Sequence, residues 1–536
     1  MGPVSSADEA RTAAEETTPV TAGGEVFVEL RSTANGVEVA GSASGLIGHP
    51  FATPDAATQG IFARWRWDGR CFELSTDRYG MYPLYWAHAG NTFRLASSIP
   101  ALIRAGSSHE LDEQALAVFF RLGFFVGDDT PFRAIHALPP GARVTWSPRG
   151  LEVQRHLPIH PPLVIDRSPA IDHYGELFRQ AIERSSSALN PTTSVLPLSG
   201  GQDSRHILLE LLEAGRPPSH GVSTRHFPPR GTPDAEVARD LARRAGVPHR
   251  VLEQPASQLG AVLRHHLVTN FCTLTPGYFM HAVNDFVAGR SAVVYDGLGG
   301  DVLSAGLFAT PERSRLWKEG RFTALAEDLL SSFEGGGGYS EDTLRHTFDP
   351  TSLQRFARQT AVERLVRELE PHREAANPML SFCFFNRTRR DVALLPCRVL
   401  SSASSVRTPY LDHALFDFLS ALPAELCLDH AFHKDTIARR FPAFASFPFA
   451  SYAVADDRRA RTHFRRFAAE VFGYTRATLG IPALRRSSMM PRLAHCIAGG
   501  SYGKAIGWLG PLLLYLQQLQ NLVVEGEAQG LDPERR

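Results

Sequence analysis

The chain has 536 residues, enough for roughly two to four domains with sizeable cores. Its 43% hydrophobic and 21% charged content is that of an ordinary globular protein, and its formal net charge of zero gives no indication of a nucleic-acid partner. No apolar stretch approaches the length of a membrane span, so an integral membrane protein is not expected. The six cysteines contain no C-x-x-C pair, which argues against a zinc site or a disulfide scaffold. Together with the absence of a signal peptide, this favours a cytoplasmic location.

The N-terminal part of the chain is predicted to be an antiparallel β domain. Residues 1–24 are polar and acidic, so we predict a disordered tail. From residue 25 to about residue 155, short runs alternate apolar and polar residues between glycine and asparagine turns. The predicted strands include Glu25–Leu30, Gly60–Trp65, Cys71–Ser75 and Thr92–Ala96.

A motif in this domain resembles a known family. Asp77-Arg-Tyr-Gly-Met-Tyr-Pro-Leu-Tyr85 is similar to the D-R-x-G-x-x-P-L-Y segment in the glutamine amidotransferase domain of asparagine synthetases, and further motifs as far as Leu138-Pro-Pro-Gly141 follow in that family's order. The family's glutaminase uses a cysteine at the mature N-terminus, whereas here Gly2 follows Met1 and the first cysteine is Cys71. The resemblance therefore implies a glutaminase-like domain without glutaminase chemistry, with a structural role beside the synthetase site.

A second, α/β domain is predicted after a linker. Residues 156–170 are rich in proline and are predicted to be that linker, and residues 171–536 the second domain, which begins with the amphipathic helix Ile171–Ala188. Strands then alternate with helices of about 12 residues, which predicts βαβ units in a doubly wound parallel sheet. The strands are predicted at Ser194–Leu198, Gly221–Thr224, His249–Leu252 and Ser291–Tyr295. From Leu303 onward the pattern is helical.

The first of these strands leads into Ser199-Gly-Gly-Gln-Asp-Ser204, and a helix with a glycine stop at Gly215 follows. A strand, a small-residue loop and a helix aim several backbone N–H groups and the positive helix end at one spot, where a phosphate is the natural occupant. The loop lacks the lysine and the spacing of a Walker loop. It resembles the S-G-G-x-D-S pyrophosphate loop of ATP pyrophosphatases, which implies that ATP and Mg²⁺ bind here and that Asp203 is a magnesium ligand. The residues that this resemblance assigns to nucleotide binding are Leu198, Ser199, Gly200, Gly201, Asp203 and Ser204. The alternative is a tight turn without a ligand.

Two further strand ends are expected at the same edge of the sheet, because ligands of parallel sheets bind beyond the carboxyl ends of the strands. Ser223 falls where the family contacts adenine and ribose. Asp296-Gly-Leu-Gly-Gly-Asp301 resembles the family's S-G-[DE]-G-[AG]-D segment. The resemblance implies that Gly297, Gly299 and Gly300 let the backbone approach phosphate and that Asp301 is the second magnesium carboxylate. The alternative for Asp301 is a cap on the following helix.

The chain departs from the family at its acid/base pair. Leu298 stands where asparagine synthetases carry an acid and β-lactam synthetases a tyrosine, and the family's E-x-R-x-P-F-L-D is here Ser405-Val-Arg-Thr-Pro-Tyr-Leu-Asp412, with serine in place of glutamate. Lys434 matches the family's synthetase lysine. We assign it as a catalytic residue that stabilises charge on the α-phosphate and the departing pyrophosphate.

These features predict an ATP-dependent ligase that adenylates a carboxylate, releases pyrophosphate and lets an amine displace AMP. The departures favour the specialised-metabolism or modified-peptide branch, such as β-lactam synthetases or lasso-peptide cyclases, with a small-molecule or peptide substrate. The alternatives are an ammonia-dependent asparagine synthetase and an inactive scaffold that binds nucleotide or peptide. The arginine-rich residues 458–492 are predicted to form a solvated helix face, with a docking surface for an acidic partner as the alternative, and His265 and His266 are predicted on a helix surface.

Overall fold

The structure is a computed structural model of the chain. It describes residues 25–52, 58–186, 193–228, 233–290, 292–333, 337–450, 457–477, 484–499 and 503–530. The predicted tail 1–24 lies outside the described residues.

The N-terminal domain is built from antiparallel sheets, as the alternating pattern predicts. Its strands are β1 (Phe27–Thr33), β2 (Gly36–Gly41), β3 (Ser44–Gly48), β4 (Phe51–Ala52), β5 (Thr58–Gln59), β6 (Phe62–Trp67), β7 (Phe72–Thr76), β8 (Tyr85–Ala89), β9 (Thr92–Ala96), β10 (His136–Ala137), β11 (Arg143–Ser147) and β12 (Gly150–Gln154). In the described residues ten of them form one sheet in the order β10-β8-β9-β1-β2 and another in the order β12-β11-β7-β6-β3, and β4 and β5 pair separately.

The apolar sides of the two sheets share one core. Val28 and Leu30 of β1 are fully buried, and they belong to the same cluster as Trp65, Phe72 and Trp146 from the other sheet. This is the two-sheet packing that period-2 patterning produces when one side of each strand is apolar. Helices α1 (Ile99–Arg104) and α2 (Glu113–Leu122) follow β9. They pack towards the second domain within a larger core.

A parallel sheet organises the second domain. Its strands are β13 (Ser194–Pro197), β14 (His220–Thr224), β15 (His249–Leu252), β16 (Val293–Tyr295) and β17 (Ser405–Arg407), in the order β15-β14-β13-β16-β17. All neighbouring pairs are parallel. The order runs outward from β13 in both directions, so the chain reverses its winding between β13 and β16, and the carboxyl end of that pair is the ligand-binding crevice of such sheets.

The helices between the strands cover the sheet. They are α3 (Arg167–Ser186), α4 (Asp203–Glu213), α5 (Pro233–Arg244), α6 (Gln258–Val268) and α7 (Met280–Val287). The predicted pattern of strands and helices is confirmed. Strand β17 was missed, because it lies in a region predicted to be wholly helical and its three residues are too short to show a period.

The remainder is helical, as predicted. Its helices are α8 (Gly300–Ser304), α9 (Pro311–Lys318), α10 (Phe322–Ser332), α11 (Glu341–Thr347), α12 (Pro350–Arg355), α13 (Arg358–Leu369), α14 (Pro378–Cys383), α15 (His413–Ser420), α16 (Phe432–Arg440), α17 (Asp457–Ala477), α18 (Arg486–Gly499) and α19 (Gly503–Gly530). A π-helical segment, Phe384–Val392, continues α14. None of the helices in the described ranges is both long and apolar enough to cross a membrane.

Of the two surface predictions, the one for the histidines is wrong and the one for an acidic partner is not tested. His265 and His266 of α6 are 2% and 3% exposed, so the predicted surface position is wrong. The ring of His266 lies 2.8 Å from the side-chain oxygen of Gln518 on α19, so a distant helix covers this side of α6. The arginine-rich segment forms most of α17 and α18, and its residues 478–483 lie outside the described ranges. Its acidic partner stays a prediction.

Candidate active site

Two acidic loops meet at the crevice between β13 and β16. After β13 the chain runs through Leu198–Gln202 into α4, whose first residue is Asp203. After β16 it runs through Asp296–Gly299 into α8, whose second residue is Asp301. Because β13 and β16 are paired and parallel, both loops lie at the same edge of the sheet.

Serine hydroxyls hold the first loop in shape. The Ser204 hydroxyl oxygen accepts the N–H of Ser199 at 3.1 Å, and the Ser199 hydroxyl oxygen accepts the N–H of Gly201 at 3.1 Å. The N–H of Gly200 donates to the carboxylate of Asp234 on α5 at 2.9 Å. The N–H groups that the sequence assigns to phosphate are therefore present at one spot and bonded within the protein, so a phosphate entering there would replace Asp234 and Ser199 as their acceptor.

The neighbouring strand end supports this loop. The N–H of Leu198 donates to the carbonyl of Val222 at 2.7 Å. The Ser223 hydroxyl donates to the carbonyl of Leu198 at 2.6 Å and lies 2.8 Å from His249 Nε2. The structure thus places Ser223 directly beside the loop, where its hydroxyl fixes the end of β13.

The glycines of the second loop leave room for Asp203. A Cβ on Gly297 would lie 2.9 Å from the Asp203 Cβ, and a Cβ on Gly300 would lie 2.7 Å from the Asp203 Cγ. Gly299 has a φ of +92°, a left-handed conformation that favours glycine. The loop that carries Asp301 therefore packs against Asp203 at distances that only glycine permits.

Asp203 has unused capacity to bind a cation. Its Oδ1 is buried without a hydrogen bond, and His433 Nδ1 lies 3.3 Å from it. Burial raises the pKa of Asp203, the neighbouring His433 opposes this rise, and the charge of Asp301 adds to it. A cation beside Asp203 would offset the repulsion from the charge of Asp301.

Asp301 and Asp296 differ in their surroundings. The Asp301 side chain is 37% exposed, and its Oδ2 lies 3.5 Å from Nη1 of Arg387, a residue of the π-helical segment. The Asp301 Oδ1 also accepts the N–H of Val302 at 2.8 Å, inside the first turn of α8, whose N-cap is Gly299 and not Asp301. Asp296 accepts the N–H of Leu298 at 2.9 Å, and burial raises its pKa to about 6.

These residues fit a magnesium ion together with ATP. In the described parts of the chain, no group of three or more His, Cys, Asp and Glu side chains could hold a metal ion by itself. Mg²⁺ is usually held by one or two carboxylates together with substrate phosphates and water, so Asp203 and Asp301 suffice when ATP is bound. The bare Oδ1 of Asp203 and the glycines packed around it are the observations that support the fit.

Residues 447–450, which follow α16, pack on the first loop and on the side chain of Lys434. The N–H of Ala450 donates to the carbonyl of Gly200 at 3.0 Å. Arg205 of α4 donates to the carbonyls of Phe447 and Pro448, and its guanidinium lies 3.9 Å from the ring centroid of Phe449. The ammonium of Lys434 lies 5.4 Å from the same ring. Lys434 and Arg205 therefore face the same ring, and Lys434 is exposed.

Leu298 and Ser405 stand at the positions of the family's acid/base pair. Leu298 is 2% exposed, in the middle of the second loop. Ser405 is at the start of β17, where it pairs with Val293 at the start of β16. Position 405 therefore lies at the opposite end of the strands from Asp296.

Several residues at the site were not assigned from the sequence. Asp234, Arg387 and Tyr410 reach it from other elements, which no local pattern indicates. His206 and His433 carry a weak signal, since His206 is on the same side of α4 as Asp203 and His433 precedes Lys434.

Two family models match parts of this chain. Residues 38–157 match the model of a glutamine amidotransferase domain, and residues 173–440, half of the chain, match that of asparagine synthase. No curated protein sequence matches. The solved glutamine phosphoribosylpyrophosphate (PRPP) amidotransferase from B. subtilis, complexed with ADP and GMP, is 14% identical over 53% of this chain, with a TM-score of 0.13. An allosteric regulatory enzyme of purine biosynthesis is 15% identical over 36% of this chain, with a TM-score of 0.14. The chain spans 47% of the length of each of these two solved chains.

Since the asparagine synthase model covers half of the chain, including both acidic loops, the chain belongs to the asparagine synthase family, with a glutamine amidotransferase-type domain before its synthetase domain.

Proposed function

We propose that the protein is an ATP-dependent ligase that forms an amide bond through an acyl-adenylate. One observation carries this proposal: Asp203 and Asp301 reach the same crevice from adjacent strands, and Gly297 and Gly300 pack against Asp203. Two carboxylates beside a loop of backbone N–H groups suit a triphosphate with its divalent ion.

The chemistry has two displacements. A substrate carboxylate oxygen attacks the α-phosphorus of ATP, the bond to the β-phosphate breaks, and pyrophosphate leaves. An amine then attacks the acyl carbon, loses a proton and displaces AMP. When bound, Mg²⁺ supplies positive charge that neutralises the triphosphate, and Asp203 and Asp301 would hold it.

The chain's own residues bind and orient the reactants. The loop from Ser199 to Ser204 presents its N–H groups to the phosphates, and Lys434 supplies a further positive charge. Arg387, 3.5 Å from Asp301, places a guanidinium at the other side of the crevice. The Leu298 side chain can neither accept nor donate a proton. The proposed chemistry therefore relies on holding the amine next to the acyl-adenylate, and such positioning by itself raises the rate strongly.

The amine is proposed to come from the substrate or a second molecule, as in β-lactam synthetases and lasso-peptide cyclases. Burial and nearby acids raise the pKa of the Cys71 thiol, which is the opposite of an activated nucleophile. At the contact between the domains, Arg389 is buried and donates to the carbonyls of Leu138 and Gly127 at 2.8 and 2.6 Å. A cavity of about 10 Å³ lies beside it.

The test is pyrophosphate release by the full chain with ATP, Mg²⁺ and a panel of amino acids and short peptides. The proposal expects release that depends on one of the carboxylates, with AMP as the nucleotide product. Asp301→Asn is the control and should lower the rate strongly. ADP as the product, or release unaffected by Asp301→Asn, would contradict the proposal.

The same assay separates the alternatives. Asparagine formed from aspartate, ammonium and ATP would identify an ammonia-dependent asparagine synthetase. ATP binding without pyrophosphate release, across a broad panel of carboxylates, would favour a scaffold. The buried Leu298 is the observation that motivates the scaffold alternative.

A further inference from the structure

A chain of buried side chains lies behind Asp203, between α4 and α16. Asp203, His206 and Glu210 are at positions i, i+3 and i+7 of α4, so they share one side of that helix. His433 and Arg440 are at i and i+7 of α16. These sides of α4 and α16 contact each other. No step of the proposed chemistry uses these histidines.

The distances connect these residues in one line. His433 Nδ1 lies 3.3 Å from Asp203 Oδ1, and His433 Nε2 lies 3.1 Å from His206 Nδ1. His206 Nε2 lies 3.9 Å from Glu210 Oε1, which accepts a hydrogen bond from Arg440 Nε at 2.9 Å. His206 and His433 are 0% exposed and Glu210 is 1% exposed, so the middle of this line is shielded from water, whereas the side chains of Asp203 and Arg440 at its ends are 26% and 30% exposed.

The geometry assigns the ring protons. An ionised carboxylate only accepts hydrogen bonds, so a His433 ring that faces it carries its proton on Nδ1. His433 Nε2 must then accept, and its neighbours are His206 Nδ1 and, at 3.3 Å, the hydroxyl of Tyr410. Tyr410 donates to the backbone carbonyl of Asp203 at 3.2 Å, which leaves His206 as the donor to His433.

We propose that His433, held by His206, is a positioning residue that fixes the Asp203 carboxylate in the orientation in which it binds the divalent ion. Asp203 Oδ1 and His433 Nδ1 lie 3.3 Å apart, and neither atom has a hydrogen-bond partner elsewhere. An ionised carboxylate has about four lone-pair sites on its two oxygens, so contact with His433 still leaves the Asp203 carboxylate capacity for the ion. Groups that orient a ligating carboxylate in this way typically change metal affinity about 10- to 100-fold when removed.

Glu210, near the far end of this line from Asp203, is held in place by an ion pair. Glu210 is paired with Arg440, and Arg440 lies on the same helix as His433. This pair fixes the rotation of α16 relative to α4, and with it the distance between His433 and Asp203. The inference rests on the proposed function, because it assumes that Asp203 binds the ion that accompanies ATP.

The test is calorimetric titration of the full chain with ATP, once with Mg²⁺ and once with EDTA. The measured quantity is the gain in ATP affinity that Mg²⁺ gives. His433→Leu should lower that gain about tenfold or more without changing ATP binding in EDTA. His433→Asn places an amide N–H where Nδ1 was and should keep most of the gain.

A second pair removes the dependence on one variant's folding. His206→Asn keeps a donor towards His433, whereas His206→Leu does not, so His206→Leu should lower the gain more. His266→Leu is the matched control, because His266 is equally buried but is bonded to Gln518 on α19. Its Mg²⁺-dependent gain should stay within about twofold of the wild-type value.

The outcomes are distinct. Equal gains in the Leu and Asn variants of each pair would overturn the positioning role, whether those gains are kept or lost. A wild-type protein whose ATP affinity does not respond to Mg²⁺ would overturn the proposed function, and this inference with it. A normal wild-type gain with the predicted order of variants supports both.

Discussion

Two aspartates, one in each domain, fall in family motifs and differ in how their oxygens are hydrogen-bonded. Asp77 of the N-terminal domain is 3% exposed, and its oxygens accept the N–H groups of Phe62, Tyr79 and Gly80 at 3.1, 2.8 and 3.0 Å. Asp203 has a buried Oδ1 without a hydrogen bond and an acidic neighbour. A fully bonded acid holds the backbone, whereas an acid with unused capacity beside another acid is ready for a cation. The motif does not distinguish the two cases, but the hydrogen bonds do.

The comparison predicts its largest effect at Asp203. Asp203→Asn should lower Mg²⁺-dependent pyrophosphate release by about a hundredfold or more, because the amide is a poor ligand for a hard cation. The free energy of unfolding should stay the same or rise, since the variant removes a buried charge that Asp301 opposes. Both are measured on one preparation, by pyrophosphate release and by urea titration. A marked loss of stability with a normal rate would mean that Asp203 resembles Asp77.

Asp77→Asn should show the reverse pattern. The amide NH₂ would face the N–H of Phe62, which leaves a buried donor unsatisfied. The free energy of unfolding should therefore fall by about 2 kcal/mol, measured by urea titration. The rate of pyrophosphate release per folded molecule should stay within about twofold of wild type. A variant with wild-type stability and a strongly reduced rate of pyrophosphate release would contradict this prediction.

The glycines around Asp203 give a smaller effect. Gly300→Ala places a methyl group 2.7 Å from the Asp203 Cγ and should displace that carboxylate, lowering pyrophosphate release about tenfold. Gly473→Ala on α17 is the matched control, because a Cβ there meets nothing within 4 Å and the helix gains stability. The two variants are compared by rate and by unfolding. Equal rates would show that the close packing at Gly300 is not needed for the site.

The smallest effect concerns His266, a buried histidine whose ring is hydrogen-bonded to Gln518. Burial lowers the pKa of His266 to about 4. The unfolded chain takes up a proton near pH 6.5 while the folded chain does not, so the stability that this group contributes is present above pH 6.5 and falls as the pH drops. Between pH 8 and pH 6 the free energy of unfolding should fall by about 0.8 kcal/mol through His266 alone. His266→Gln, titrated with urea at both pH values, should remove that part of the fall. An unchanged pH dependence would contradict it.

The sequence predicted the parts of the site that are local in the chain. A strand followed by small residues and a helix is visible around Ser199–Ser204, and the order of motifs gave the family. It did not predict contacts made from afar. His433 meets His206 across 227 positions, and Asp234 and Arg387 reach the loops from separate elements. The predicted surface position of His265 and His266 is wrong because α19, more than 200 positions later, covers His266, and His281 of α7 lies against His265. Local periodicity reports which side of a helix is apolar and not which distant element packs on it.

The central claim is that Asp203 and Asp301 hold one divalent ion over the phosphates of ATP. The most direct measurement is a crystal structure of the full chain grown with Mn²⁺ and a non-hydrolysable ATP analogue, with the ion located by its anomalous scattering. The account predicts one Mn²⁺ ligated by both carboxylates and by the triphosphate, with the phosphates on the N–H groups of residues 199–204. An ion bound elsewhere, or a crevice in which Asp234 still occupies the N–H of Gly200 and ATP is absent, would contradict it.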